Sequence, residues 1–316
     1  MQGSDQRPLG RQHFYLQSTL ARWRRFLFHW RLFRRQPFGL LGLAIIAGFG
    51  VMAVIHPLLM GTVWDRARYD PIVGFDVDLE SNPSLPSTEH LLGTDNFGRD
   101  VLSQLVAGAR TSFGVGIVAA IVAVTLSTFL GAAAGYLGGM ADVVLMGISD
   151  VFVLLPAPIV LLIFGLLLRL DWPVVGVLYG ILTGLGVQAI TVKAQTLTLK
   201  VKPYIEAAQI AGGGDGHIIV AHILPGLVPI AVVHGVLTVV GAVLTESLLS
   251  FFGRASYHLS WGLMIWLGQE TFRWFSFRGQ WHAILPPALA IMLYCGAFYL
   301  VGRALDEVLN PRLRRR

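Results

Sequence analysis

The sequence predicts an all-α integral membrane protein. It reads as six transmembrane helices, an amino-terminal helix lying on the membrane surface, and a helix-turn-helix loop between the fourth and fifth spans. Three observations predict this. Of 316 residues, 54% are hydrophobic and 13% charged, where soluble domains carry roughly 25% charged residues. The mean hydropathy is +0.65. Apolar runs of near-span length recur along the chain, and about 20 helical residues cross the hydrocarbon core. A soluble protein with an outsized core is the bland alternative, and the repetition argues against it.

The candidate spans run over about Phe38–Ile55, Phe113–Leu137, Val143–Leu168, Val174–Val192, Leu227–Leu249 and Ile284–Arg303. They divide the chain into a basic tail (1–37), a first span (38–60), a long loop (61–112), a core (113–303) holding the loop 193–226, and a second basic tail (304–316). Leu16, Leu20, Trp23, Leu27 and Trp30 fall at helical spacing with arginines opposite. That pattern predicts an interfacial helix on an anionic leaflet rather than a nucleic-acid contact. The basic amino-terminal segment is too long for a cleaved signal peptide, and no small-residue cleavage pattern follows the first apolar run. The single cysteine, Cys295, rules out an intramolecular disulfide.

Six spans place both termini on one side, and basic residues choose which side. With the termini cytoplasmic, sixteen of the 24 lysines and arginines lie inside, eight of them in the amino-terminal tail. Residues 61–100 then face outward, with eight acids against three arginines. The stretch Pro203–Gly226 is therefore expected in the cytoplasm.

That stretch, "PYIEAAQIAGGGDGHIIVAHILPG", is polar for this chain. Pro203 suits a first helical turn, and Gly212-Gly213-Gly214 ends that helix. Asp215 caps a second short helix, His217–Ile223, which Leu224-Pro225 stops before span five. Elsewhere Gly131/Gly135/Gly139 and Gly176/Gly180/Gly184 stand four apart, the spacing of close helix packing. Asp150 and Glu246 are ionisable residues within spans, which are costly there and mark candidate functional sites.

Several motifs now converge on one family. Glu206-Ala207-Ala208, three residues, Gly212, eleven residues and Leu224-Pro225 resemble the EAA loop of bacterial ABC importer permeases. His222 before Ile223-Leu224-Pro225 is similar to the form found in the dipeptide, oligopeptide and nickel subfamily. "HLLGTDNFGRDVLSQLVAGARTSF" (His90–Phe113), "GYLGGMADVVLMGISDVFVLLP" (Gly135–Pro156), "ESLLSFFG" (Glu246–Gly253) with "WGLMI" (Trp261–Ile265), and "LDEVLNPRLR" (Leu305–Arg314) resemble further subfamily segments in the same order. The likeness is greatest to the C-type subunit, partner of a distinct B-type permease. Gly213-Gly214 replaces the usual Ala-Ser, Gly226 the usual Asn, Phe252 a Leu, and Asn310 an Asp. The glycine run implies a looser turn than the family's.

The resemblance implies a type I ABC importer permease fold, set in the bacterial cytoplasmic (inner) membrane. It implies a peptide importer with a second homologous permease, two ABC ATPase subunits and an external solute-binding protein. ATP and magnesium would be bound by those ATPase subunits, and this chain would hold no cofactor or metal. It assigns ATPase coupling to Tyr204, Glu206, Ala207, Ala208, Gly212, Gly213, Gly214, Asp215, His222 and Pro225. Asp95, Arg99 and Asp100 would meet the binding protein or the other permease, or only fix the approach to span two. Asp150, Glu246, Phe251 and Trp261 are candidate pathway or gate residues.

No catalytic residue is expected. None of the three lysines follows glycine, and so there is no P-loop. There is no H-E-x-x-H and no G-x-S-x-G either. An intramembrane hydrolase built on His234 and a proton-coupled secondary transporter remain as other classes. The latter predicts inverted repeats, which the sequence lacks, and gives the 206–225 hairpin no role. Within the importer reading, nickel or glutathione are alternative cargoes.

Overall fold

The structure, a computed structural model, describes residues 27, 28, 30–76, 82–252, 258–274 and 281–309. Among these, five helical runs are long and apolar enough to cross a membrane, and a sixth crossing forms if one bent pair counts as a span. In chain order the elements are α1 (Pro37–Thr62), the short α2 (Arg66–Tyr69), α3 (Val101–Leu137), and the bent pair α4 (Gly139–Val153) and α5 (Ala157–Leu167). α6 (Trp172–Thr183) continues through a π turn (Gly184–Gln188) into α7 (Ala189–Lys200). α8 (Pro203–Ile210) and α9 (Asp215–Ile218) follow, then a second π turn (Ile219–Ile223) leading into α10 (Leu224–Phe251). α11 (Trp261–Trp274) and α12 (Trp281–Leu309) complete the set. The interfacial helix expected over 16–30 lies almost wholly outside the described residues; of the basic tail expected over 304–316, residues 304–309 continue α12 and the rest lie outside them.

Several boundaries differ from the sequence-based ones, each for a physical reason. α3 starts at Val101, not Phe113, because Asp100 caps it by accepting the Ser103 amide at 2.6 Å. The long loop therefore ends at Asp100 rather than residue 112. Span four runs to Lys200 rather than Val192. Its lysines find partners without leaving the helix: Lys193 Nζ donates to Asp142 at 2.7 Å, and Lys200 Nζ to the Tyr136 carbonyl. Pro225 does not stop the second hairpin helix. The π turn ahead of it absorbs the missing N–H and the ring's bulk, and one helical run extends over Asp215–Phe251. The 72° bend between α4 and α5 falls at Leu154–Pro156, where the proline ends the ladder. α11 was not expected; at 14 residues it is too short to read as a span.

Two glycine series allow close helix packing. Gly176, Gly180 and Gly184 seat α6 on α3. A Cβ on Gly180 would lie 2.7 Å from the Ala119 carbonyl oxygen, and one on Gly184 at 2.7 Å from Ala123. Gly131 and Gly135 do the same for α3 against α7. Gly139 is not part of this seam. With Gly138 it takes positive φ (69° and 55°) and turns the chain from α3 into α4. Gly180→Leu should thus cost about 2 kcal/mol or more through overpacking, read as a lowered melting temperature in detergent.

The interior is sealed at one end by an aromatic cluster. Trp261 is fully buried and meets Phe49 and Tyr294 with ring centroids 5.2 and 5.7 Å away. At the opposite end, Ile205, Ile218 and Ile223 pack on Ala132, Tyr136, Val192, Leu199 and Leu227. The 201–223 hairpin is thereby seated on the ends of α3, α7 and α10.

Candidate functional site

The hairpin has a defined turn. Gly212 takes φ +82°. The Gly213 amide donates to the Ala208 carbonyl at 3.0 Å and the Gly212 amide to Gln209 at 2.9 Å, the paired bonds of a Schellman closure. This corrects the expectation of a loose glycine turn. Only Gly212 is there for its backbone conformation. A Cβ on Gly213 would come 2.9 Å from the Ala208 oxygen, whereas one on Gly214 meets nothing within 4 Å. Gly214 is the N-cap of α9, at φ −69° and ψ 155°. Asp215 is the first helical residue and makes no side-chain cap bond, contrary to its expected capping role. Its charge still favours that helix end through the dipole. Gly214→Ser should therefore hold or raise stability by about 0.5 kcal/mol, checked by thermal melting.

The hairpin's two faces separate cleanly. Ile205 and Ile218 are fully buried, and Gln209 Nε2 donates to the Tyr136 hydroxyl at 3.1 Å. Tyr204, Glu206, Ala207 and Asp215 point outward, while Ala208 is half-buried. His222 is half-buried and sits between the Tyr204 ring (6.5 Å) and the His217 ring (5.8 Å). The π turn brings the two histidines onto one side, and His222 clasps the two helices together. Pro225 is exposed inside the continuous helix. Three apolar residues that sequence reasoning did not single out are exposed along this segment: Val201 (82% exposed), Ile210 (81%) and Val220 (60%). An exposed apolar patch rimmed by polar groups marks a contact surface.

The opposite end carries a cap built from residues 63–76 and 82–100. Thr94 and Asp100 form an antiparallel bridge, and positive φ at Gly93 (77°) and Gly98 (75°) allows the turns. Asp95 accepts the amides of Phe97 and Arg99, the Arg99 Nε at 2.7 Å, and the Gln104 Nε2 at 2.9 Å. Asp100 faces His90 Nδ1 at 2.9 Å, and His90 Nε2 faces Asp76 at 3.1 Å. Arg68 reaches Asp76 at 3.3 Å. His90 and Asp76 are fully buried. Burial raises the Asp100 carboxyl above its ordinary value, with the Ser103 amide and His90 pulling it back. Burial, followed by neighbouring Asp100, raises the Tyr69 hydroxyl as well. Asp95, Arg99 and Asp100 thus turn inward and build the cap. His282 Nε2 meets the Thr94 carbonyl at 3.0 Å and ties the cap to α12.

The four candidate pathway residues separate. Trp261 is core, its Nε1 donating to the Leu105 carbonyl at 2.9 Å. Glu246 is buried, accepting from Ser250 Oγ at 2.6 Å, with Ser250 3.0 Å from Ser260 at the start of α11. Half-buried Phe251 lies beside Phe252. All three lie at or beside the α10–α11 joint, which the Glu246–Ser250–Ser260 contacts bridge. Asp150 alone is exposed, on α4.

Taken together, these elements define a multi-pass helical membrane protein with a packed cap at one end and a projecting helical hairpin at the other. Residues 127–315, which include the whole hairpin, match the family described as binding-protein-dependent transport system inner membrane component, and the chain belongs to that family. It is 34% identical to the dipeptide transport system permease protein DppC of Bacillus subtilis (strain 168), over 90% of this chain and 85% of that one. It is 31% identical to the oligopeptide transport system permease protein OppC of Haemophilus influenzae, over 86% and 85%. It is 32% identical to the glutathione transport system permease protein GsiD of Pectobacterium atrosepticum, over 94% and 93%.

Proposed function

We propose that this chain is one transmembrane half of an ATP-driven peptide importer. It works beside a second, homologous permease, two ATPase subunits that bind ATP and magnesium, and an external solute-binding protein. The observation that carries this is the hairpin: exposed apolar side chains at Val201, Ile210 and Val220, with exposed Tyr204 and Glu206, on a firmly seated base. The hairpin is the docking element for an ATPase subunit, in the manner of a helix laid into a groove. Its second helix is continuous with α10, so a push on the hairpin moves a rod of 37 residues. That rod ends at the Glu246–Ser250–Ser260 joint with α11. Closure of the ATPase pair is thereby carried into the spans, and the route opens to one side and then the other. The chain performs no hydrolysis of its own. The distribution of basic residues supports termini and hairpin in the cytoplasm and the cap outside, in a bacterial inner membrane. The relatives' names support peptides as cargo.

The test is uptake of a labelled di- or oligopeptide into proteoliposomes holding the copurified complex, with its binding protein. Uptake should require ATP and magnesium and the presence of ATPase subunits. Uptake by the chain alone, driven by a pH gradient without ATP, would overturn the proposal in favour of a proton-coupled carrier.

A further inference from the structure

The α4–α5 joint breaks two rules of lipid-facing structure at once. Asp150 stands eleven residues past Gly139, about 16 Å along the helix; with the Gly138–Gly139 turn set at the membrane surface, that is near the middle of a hydrocarbon core about 30 Å thick. It is exposed, and among the described residues it has no hydrogen bond or ion pair. Around it α4 shows an apolar exterior, with Val143, Val151 and Leu154 exposed. One turn further on, helical backbone stops at Leu154–Pro156, and this break is exposed too, Leu154 by 81%. A bare carboxylate in hydrocarbon is costly, and non-helical backbone at that depth is tolerated only against protein or water. A second interruption lies alongside: a Cβ on Gly186 of the π turn would lie 3.5 Å from the Phe152 backbone. Two broken spans therefore meet at one level, beside a single uncompensated negative charge.

We infer that the Asp150 face of α4 lines the water-filled route, and that the Asp150 carboxylate receives the protonated amino group of a passing peptide. A peptide's free amino terminus is the cation that such cargo always offers, and a lone carboxylate on the wall of the route attracts it. The amino-group assignment rests on the peptide-importer reading; the water-lined face does not.

The experiment uses the assembled complex in proteoliposomes. In Asp150→Asn the subunits should copurify as in the wild type while peptide uptake falls about tenfold or more, the scale of one lost charge-assisted contact. Asp150→Glu should keep most of the uptake. In a Cys295→Ser background, Asp150→Cys and Leu154→Cys should react with a membrane-impermeant, sulfonated thiol reagent. Uptake by Asp150→Asn within twofold of wild type overturns the amino-group role. Loss of the second permease from that variant assigns the carboxylate to an ion pair with the partner and overturns it as well. Unreactive cysteines at both positions overturn the water-lined face. If the wild-type complex imports no peptide yet both cysteines react, the peptide reading and the amino-group role fall and the water-lined face stands.

Discussion

His90→Leu should destabilise the protein by about 3–5 kcal/mol, the cost of removing one partner from a buried charged set. His90 is fully buried and stands between Asp100 at 2.9 Å and Asp76 at 3.1 Å. Leucine keeps roughly the volume but leaves two carboxylates facing an apolar side chain. Asp100 also caps α3, so the damage reaches the first turn of a 37-residue helix. The pH dependence carries a sign. Burial raises the Asp100 carboxyl, so its contribution to folding is present below the ordinary carboxylate range and fades as pH rises through the raised value. In the variant, which lacks the opposing pull of His90, that fading is stronger. The melting temperature of His90→Leu should therefore recover partly on acidification from pH 8 towards the ordinary carboxylate range. A wild-type melting temperature at pH 8 would show that the triad does not hold the cap.

Glu206→Arg should assemble normally and lose at least about tenfold in ATP-driven uptake. Glu206 is exposed and makes no ion pair among the described residues, and surface changes of that kind usually fall within about 0.5 kcal/mol in stability. Reversing its charge at a docked face puts a wrong charge against the partner, and like-charge juxtapositions cost several kcal/mol. Gly212→Val probes the same element from within. A β-branched residue at φ +82° is strained by about 1–2 kcal/mol. The Schellman bonds to Ala208 and Gln209 then open, and α8 no longer holds its angle to α9. Uptake should fall in this variant along with the melting temperature. Unchanged uptake in both would remove the hairpin from the coupling role.

What was legible in the sequence was whatever repetition writes there. Spans of apolar residues, the glycines at 176, 180 and 184, and the proline and glycine ends of α8 are local patterns, and each has a counterpart in the fold. Less legible was anything set by partners distant in sequence. α3 extends twelve residues beyond its expected start because Asp100 caps it, although Gln104, Arg110 and Ser112 interrupt the apolar run. The motif around Asp95, Arg99 and Asp100 was visible, but not its inward direction, which depends on Gln104, His90 and Asp76. Trp261 and Glu246 looked alike as candidate gate residues. Only packing against Leu105, Ser250 and Ser260 identifies both as joints. The π turns have no simple sequence signature, yet one carries the hairpin into α10 and the other places Gly186 beside α4.

The most direct test of the account is a photo-crosslinking residue at Ile210, the most exposed apolar side chain of α8. In the assembled complex, illumination should join this chain to an ATPase subunit in high yield, while the same residue at Val73 in the cap should give no such adduct. Adducts to the ATPase from Val73, or none from Ile210 in a complex that transports, would contradict the assignment of the hairpin as the coupling element.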